Sequence, residues 1–132
     1  MKRLIPLTVA CVLLVALTLT DGRARLVRLD PELSVTVYTA RGTRQGDCAT
    51  LLSSRGAYAT TVALNTTPDA LLRSLGLVER NRYTVDGVTV IEGYSALLGK
   101  GVTLDYGTVN AQIAVRSDGS VLLGLPLLVG SY

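Results

Sequence analysis

Histidine, phenylalanine and tryptophan are absent from this chain of 132 residues, and cysteine occurs only twice. Without histidine, the chain lacks the commonest general base, the usual partner of a serine or cysteine nucleophile, and the main ligand of catalytic zinc. Cys48 is the single cysteine outside an apolar N-terminal run, and one cysteine cannot form a structural zinc site. The sequence therefore predicts a protein that is not an enzyme and that holds no metal or cofactor.

The net positive charge is also small once the first three residues are set aside. The chain has 13 basic and 10 acidic residues, and Lys2 and Arg3 account for two of the basic ones. The remainder is close to neutral, and it lacks the basic surface that binding to a phosphate backbone requires. We do not expect nucleic acid to be a partner.

The N-terminus carries a basic head followed by an uncharged apolar run, residues 4–20. This layout is typical of a secretory signal peptide or of a short membrane anchor. Thr18, Leu19 and Thr20 match a signal-peptidase site poorly, which favours an anchor that is not cleaved. We expect residues 1–20 to be a signal peptide or membrane anchor. The domain then lies on the extracytoplasmic side, membrane-anchored or secreted.

The rest of the chain divides into a predicted linker, residues 21–32, and a single domain, residues 33–132. The first half of the domain predicts strand 33–39, loop 41–46, helix 47–55, strand 57–64, and a helix that Thr67 caps and Gly76 ends. The second half predicts an antiparallel meander with a tight turn at Asp86–Gly87. The expected fold is α+β: a mostly antiparallel twisted sheet with two short helices on one face, after an N-terminal hydrophobic helix.

One predicted strand, residues 108–116, alternates between apolar and mostly polar positions. The alternation predicts one face in the core and the other in water. Four side chains are candidates for a binding surface on the wet face and its neighbouring strand: Tyr94, Asn110, Gln112 and Arg116. Such a surface suits an extended peptide, a glycan or a partner domain. The alternatives are an ordinary hydrated sheet face, or amides that satisfy backbone groups of nearby loops.

Two further features concern individual residues. Glu92 and Asp105 lie on successive predicted strands, where paired carboxylates could perform acid–base chemistry; solvated surface charges are the alternative. The stretch 121–129 is apolar on both faces, which predicts a central or helix-covered strand. Pro126 interrupts it and predicts a bulge or an edge there, because proline cannot donate to a ladder.

The C-terminal third resembles the YwmB-like family, exported proteins of Firmicutes. The resemblance rests on Gly93-Tyr94-Ser95, on Val109-Asn110-Ala111-Gln112-Ile113-Ala114-Val115-Arg116, on Gly124-Leu125-Pro126-Leu127-Leu128, and on the final Tyr132. It implies a fold like that of the TATA-box-binding protein without implying DNA binding. We expect a non-catalytic extracytoplasmic domain related to the envelope or to sporulation. The alternative is a peptide- or glycan-binding module. Expected partners are the membrane, through residues 4–20, and a protein or cell-wall component.

Overall fold

The structure, a computed structural model, describes residues 21–53 and 57–129. These residues form three short helices and nine strands: α1 (Gly22–Leu29), β1 (Ser34–Thr39), β2 (Gly42–Gly46), α2 (Cys48–Ser53), β3 (Ala59–Leu64), α3 (Pro68–Leu75), β4 (Val78–Val85), β5 (Val88–Tyr94), β6 (Val102–Leu104), β7 (Gly107–Val109), β8 (Ala111–Val115) and β9 (Val121–Leu125). The expected α+β class with an antiparallel sheet is confirmed. The expected N-terminal hydrophobic helix, residues 4–20, lies outside the described residues.

Seven strands form one sheet in the order β2-β1-β3-β9-β8-β5-β4, and every neighbouring pair is antiparallel. Strands β6 and β7 form a separate hairpin. The edge or bulge predicted at Pro126 is wrong, because β9 lies at the centre of the sheet between β3 and β8. Pro126 follows the last residue of β9 after a cis peptide bond, where the ladder needs no further donor.

The helices cover one face of the sheet, and the main core lies beneath them. The register places one apolar side chain from each central strand in a single row: Val35, Val62, Leu123, Ile113 and Ile91. Leu26, Leu51 and Leu71 of the three helices belong to the same buried cluster. Burying each of these large side chains contributes about 1.5–3 kcal/mol, so this face supplies most of the hydrophobic stabilisation.

Helix α1 occupies the stretch that the sequence predicted as a linker, residues 21–32. Asp21 caps the helix by accepting a hydrogen bond from the Arg23 amide (3.0 Å), and Leu26 is fully buried in the core. The segment therefore belongs to the domain, which has three described helices instead of two. Its three arginines obscured the helix in the sequence, although Leu26 is buried and Val27 and Leu29 pack partly buried against the core.

Other local predictions were confirmed where the sequence carried specific turn chemistry. Thr67 Oγ1 accepts the Ala70 amide (3.2 Å), and helix α3 ends at Gly76. Asp86 and Gly87 both have positive φ, 51° and 78°, as the predicted two-residue turn requires. The predicted loop 41–46 is instead the exposed edge strand β2, which pairs with β1 through its backbone and has no apolar pattern.

Candidate functional site

The sheet face opposite the helices carries a buried polar cluster around Glu92. The Glu92 side chain is only 5% exposed, and its carboxylate accepts hydrogen bonds from Asn81 Nδ2 (3.1 Å), Gln112 Nε2 (3.1 Å) and the Tyr106 hydroxyl. Asn81 and Gln112 are the cross-strand neighbours of Glu92 on β4 and β8. Tyr106 lies in the turn between β6 and β7. The cluster therefore ties this hairpin to the main sheet.

The three donors that bind the Glu92 carboxylate are electrically neutral, and Glu92 forms no ion pair with any described residue. The hydrogen bond to Glu92 raises the pKa of the Tyr106 hydroxyl, because ionisation would replace that bond with repulsion between two anions. The alternative that treated Glu92 as a solvated surface charge is wrong. Three donors hold its carboxylate, and its contacts position the hairpin.

Gln112 is also buried, at 7% exposed, although the sequence placed it on a wet face. Its Oε1 accepts the Leu128 amide (2.9 Å) from the chain that follows β9. That chain folds back across the sheet so closely that a Cβ on Gly124 would lie 2.3 Å from the Leu128 nitrogen. The hydrogen bond therefore fixes both the returning chain and the Gln112 side chain. The side-chain amide of Gln112 does not face solvent.

Asn110 organises the loop of residues 95–101, which we call the 95–101 loop. Its Oδ1 accepts the Ser95 amide (2.8 Å), and its Nδ2 donates to the carbonyls of Ser95 (2.7 Å) and Gly99 (2.9 Å). Asn110 is 2% exposed and separates β7 from β8, which the sequence predicted as one continuous strand. The side-chain amide of Asn110 therefore satisfies backbone groups of the loop. This is the alternative to a binding surface that the sequence left open.

Tyr94 borders an open cleft of about 610 Å³, which we call the Tyr94 cleft. Its lining residues are Arg80, Tyr94, Gly99, Lys100, Gly101 and Thr108. The Arg80 guanidinium carbon lies 6.0 Å from the centroid of the Tyr94 ring, within the range of a cation–π contact. Arg80 and Lys100 are exposed, and neither forms an ion pair with any described residue.

A second depression of about 410 Å³ shares Gly99 and Lys100 with the cleft and extends to the start of α1. Its lining residues are Arg23, Ala57, Tyr58, Leu98, Gly99, Lys100, Asn110, Leu125 and Pro126. The Gly22 amide donates to the Leu97 carbonyl (3.0 Å), and a Cβ on Gly22 would lie 2.6 Å from Leu98 Cδ2. The start of the described domain is therefore fixed against the 95–101 loop.

The four residues predicted as a binding surface do not share one. Tyr94 borders the cleft, Asn110 and Gln112 are buried, and Arg116 is exposed at the opposite end of strand β8. Sequence reasoning missed Arg80, which lies at an irregularity between β4 residues 79 and 81 that no motif signals. The sequence predicted Lys100 only as part of a glycine-rich turn, with no binding role.

No protein-family model, curated protein or solved structure matches this chain. Within residues 21–53 and 57–129, no helix has the length and apolar character to cross a membrane. In the same residues, no three cysteine or carboxylate side chains are grouped as a metal site would require. The Tyr94 cleft, which combines two cations with an aromatic ring, is therefore the candidate functional site.

Proposed function

We propose that this chain is a non-catalytic domain, tethered to the membrane through residues 4–20, that binds an acidic component of the cell envelope in the Tyr94 cleft. The observation that carries the proposal is the pair of exposed cations, Arg80 and Lys100, which line one cleft together with the Tyr94 ring. Exposed arginine and lysine side chains usually find acidic neighbours or extend into water. Here they line a concave surface and have no described acidic partner.

The proposed location has separate support. Residues 1–20 combine a basic head with an apolar run, and the C-terminal third resembles an exported family. A ligand on that side of the membrane would be a glycan, a peptide or another envelope component. The sequence-based alternative, a peptide- or glycan-binding module, thus becomes part of the same proposal, with its site moved from the sheet face to the cleft.

The polar atoms around the cleft suit an acidic ligand. A guanidinium offers several N–H donors in one plane, and an ammonium supplies a mobile point charge. The Tyr94 ring adds an apolar surface on which a sugar or a peptide group can lie. Glu92 is the buried carboxylate on the same strand, and the cluster described above already holds its oxygens.

Titration of the full-length protein in detergent micelles with soluble cell-wall muropeptides, followed by amide NMR, tests the proposal. We expect shifts at Tyr94 and at Gly99–Gly101, and we expect Lys100→Gln to weaken them. Arg116→Gln is the matched control, because it removes one exposed positive charge at the far end of β8 and should leave binding unchanged. Shifts centred on Arg116, or binding equally lost in both variants, would contradict the cleft as the site.

A further inference from the structure

The donors in the Tyr94 cleft come from both side chains and backbone. Besides Arg80 and Lys100, the backbone N–H groups of Gly99 and Lys100 donate no hydrogen bond within the described part of the chain. The Gly99 carbonyl, in contrast, is held by Asn110, so the peptide group after it has a fixed orientation. Backbone N–H groups that are left without a partner in a turn beside a concave surface can form part of an anion-binding site.

We infer that the Tyr94 cleft binds the phosphate of an anionic phospholipid in the leaflet to which the chain is tethered. This inference rests on the proposed function, since it takes residues 4–20 to be in the membrane. A phosphate diester exposes acceptor oxygens in several directions, which matches a guanidinium fork, an ammonium and backbone N–H groups around one space.

The position of the cleft favours a lipid over a soluble phosphate. Residues 1–20 join the domain at Asp21, and the next residue, Gly22, donates its backbone amide to the Leu97 carbonyl of the 95–101 loop. Lys100 of the same loop lines both the depression that begins at Arg23 and the cleft that contains Arg80. A chain tethered at residue 20 therefore holds this cationic surface beside the bilayer.

The side chains of this surface are those that favour a membrane interface. Tyr58 is 63% exposed in the depression, and Tyr94 borders the cleft. Tyrosine side chains concentrate at the headgroup level of bilayers. A lysine or arginine near an anionic surface strengthens the attraction about fivefold, which corresponds to about 1 kcal/mol per charge.

The test uses the full chain in nanodiscs of phosphatidylcholine, with increasing fractions of phosphatidylglycerol, and a headgroup spin label that attenuates nearby amide signals. We expect phosphatidylglycerol to shift and attenuate the amides of Gly99–Gly101. Lys100→Gln should raise the required phosphatidylglycerol fraction about fivefold, and Arg116→Gln should not change it. Amide spectra in the absence of phosphatidylglycerol check that both variants are folded.

Three results would overturn the inference, and they separate it from the proposed function. If phosphatidylglycerol leaves the spectra unchanged while muropeptides still shift the amide signals of the 95–101 loop, the lipid inference is overturned and the proposed function stands. Saturation by soluble glycerol phosphate in phosphatidylcholine discs, to the same extent as by phosphatidylglycerol, would show that the phosphate comes from solution. No response to phosphatidylglycerol, glycerol phosphate or muropeptides would overturn both proposals.

Discussion

Replacing Asn110 with alanine tests whether this amide is structural or available to a ligand. The side chain makes three hydrogen bonds to the 95–101 loop, with donor–acceptor distances of 2.8, 2.7 and 2.9 Å. Ser95 is fully buried, so the substitution leaves its amide without a partner, whereas its carbonyl keeps the hydrogen bond from the Leu98 amide (3.2 Å). Gly99 loses the bond that fixes its carbonyl. The loss at Ser95 therefore falls on a backbone amide that water reaches poorly.

The expected cost is large for a domain of this size. Each buried donor or acceptor left unsatisfied costs about 1–3 kcal/mol, and a lost neutral hydrogen bond costs about 1 kcal/mol. One stranded amide at Ser95 and two lost bonds, at the Ser95 and Gly99 carbonyls, give a decrease of about 3–5 kcal/mol in the free energy of unfolding. Domains of this kind have about 5–15 kcal/mol in total, so Asn110→Ala should lower the denaturation midpoint markedly.

Urea denaturation of the full-length protein in micelles, followed by far-UV circular dichroism, measures the change. Asn65→Ala is the matched control: its side chain is exposed and makes no described hydrogen bond, so its effect should stay within about 0.5 kcal/mol. A loss below about 1 kcal/mol for Asn110→Ala would refute the structural role. Asn110 would then return as a candidate for ligand contact.

Three more predictions follow from the fold. Leu26→Ala should cost about 2–5 kcal/mol in urea denaturation, because Leu26 is fully buried; a linker residue would cost nothing. The raised pKa of Tyr106 adds stability that is complete below the unfolded value of about 10 and is lost as pH rises through the folded value. Tyr106→Phe should therefore flatten stability in that alkaline window and remove from the absorbance titration a phenol whose pKa is raised. Loss of a phenol that titrates at the ordinary value would contradict the bond to Glu92. Gly124→Ala should destabilise more than Gly119→Ala in thermal melts, because a Cβ meets backbone at 2.3 Å only in the first case; equal losses would contradict the close approach.

Sequence reasoning succeeded where a short stretch contained its own signal. The Thr67 cap and the Asp86–Gly87 turn depend on residues within three positions of each other, so their conformations follow from local chemistry. It failed at α1, where three arginines interrupt the apolar residues, and at β2, which has no apolar side chain. Helix α1 packs through Leu26 against elements that are distant in the sequence, and β2 is held by backbone pairing with β1. Neither segment therefore shows the full hydrophobic periodicity of its secondary structure.

The site was harder to predict than the fold because its burial comes from distant chain segments. Gln112 and Glu92 look like surface residues within their own strands. They are covered because the chain after Pro126 returns to Gln112 and because Tyr106 reaches Glu92. Tyr94, which the sequence proposed for a binding surface, borders the cleft, and Arg80 and Lys100 meet it only through the folded sheet and the 95–101 loop.

The central position of β9 has a consequence for the order in which the domain can be completed. Strands β1–β3 form one antiparallel group and β4, β5 and β8 form another, and within the described residues only β9 joins them by a ladder. A ribosome or a translocation channel releases residues 121–125 after all the other strands. Until then both β3 and β8 present unpaired edges, which favour intermolecular pairing. A chain that is released from residue 21 onward would therefore consist of two separate groups of paired strands until residues 121–125 had emerged.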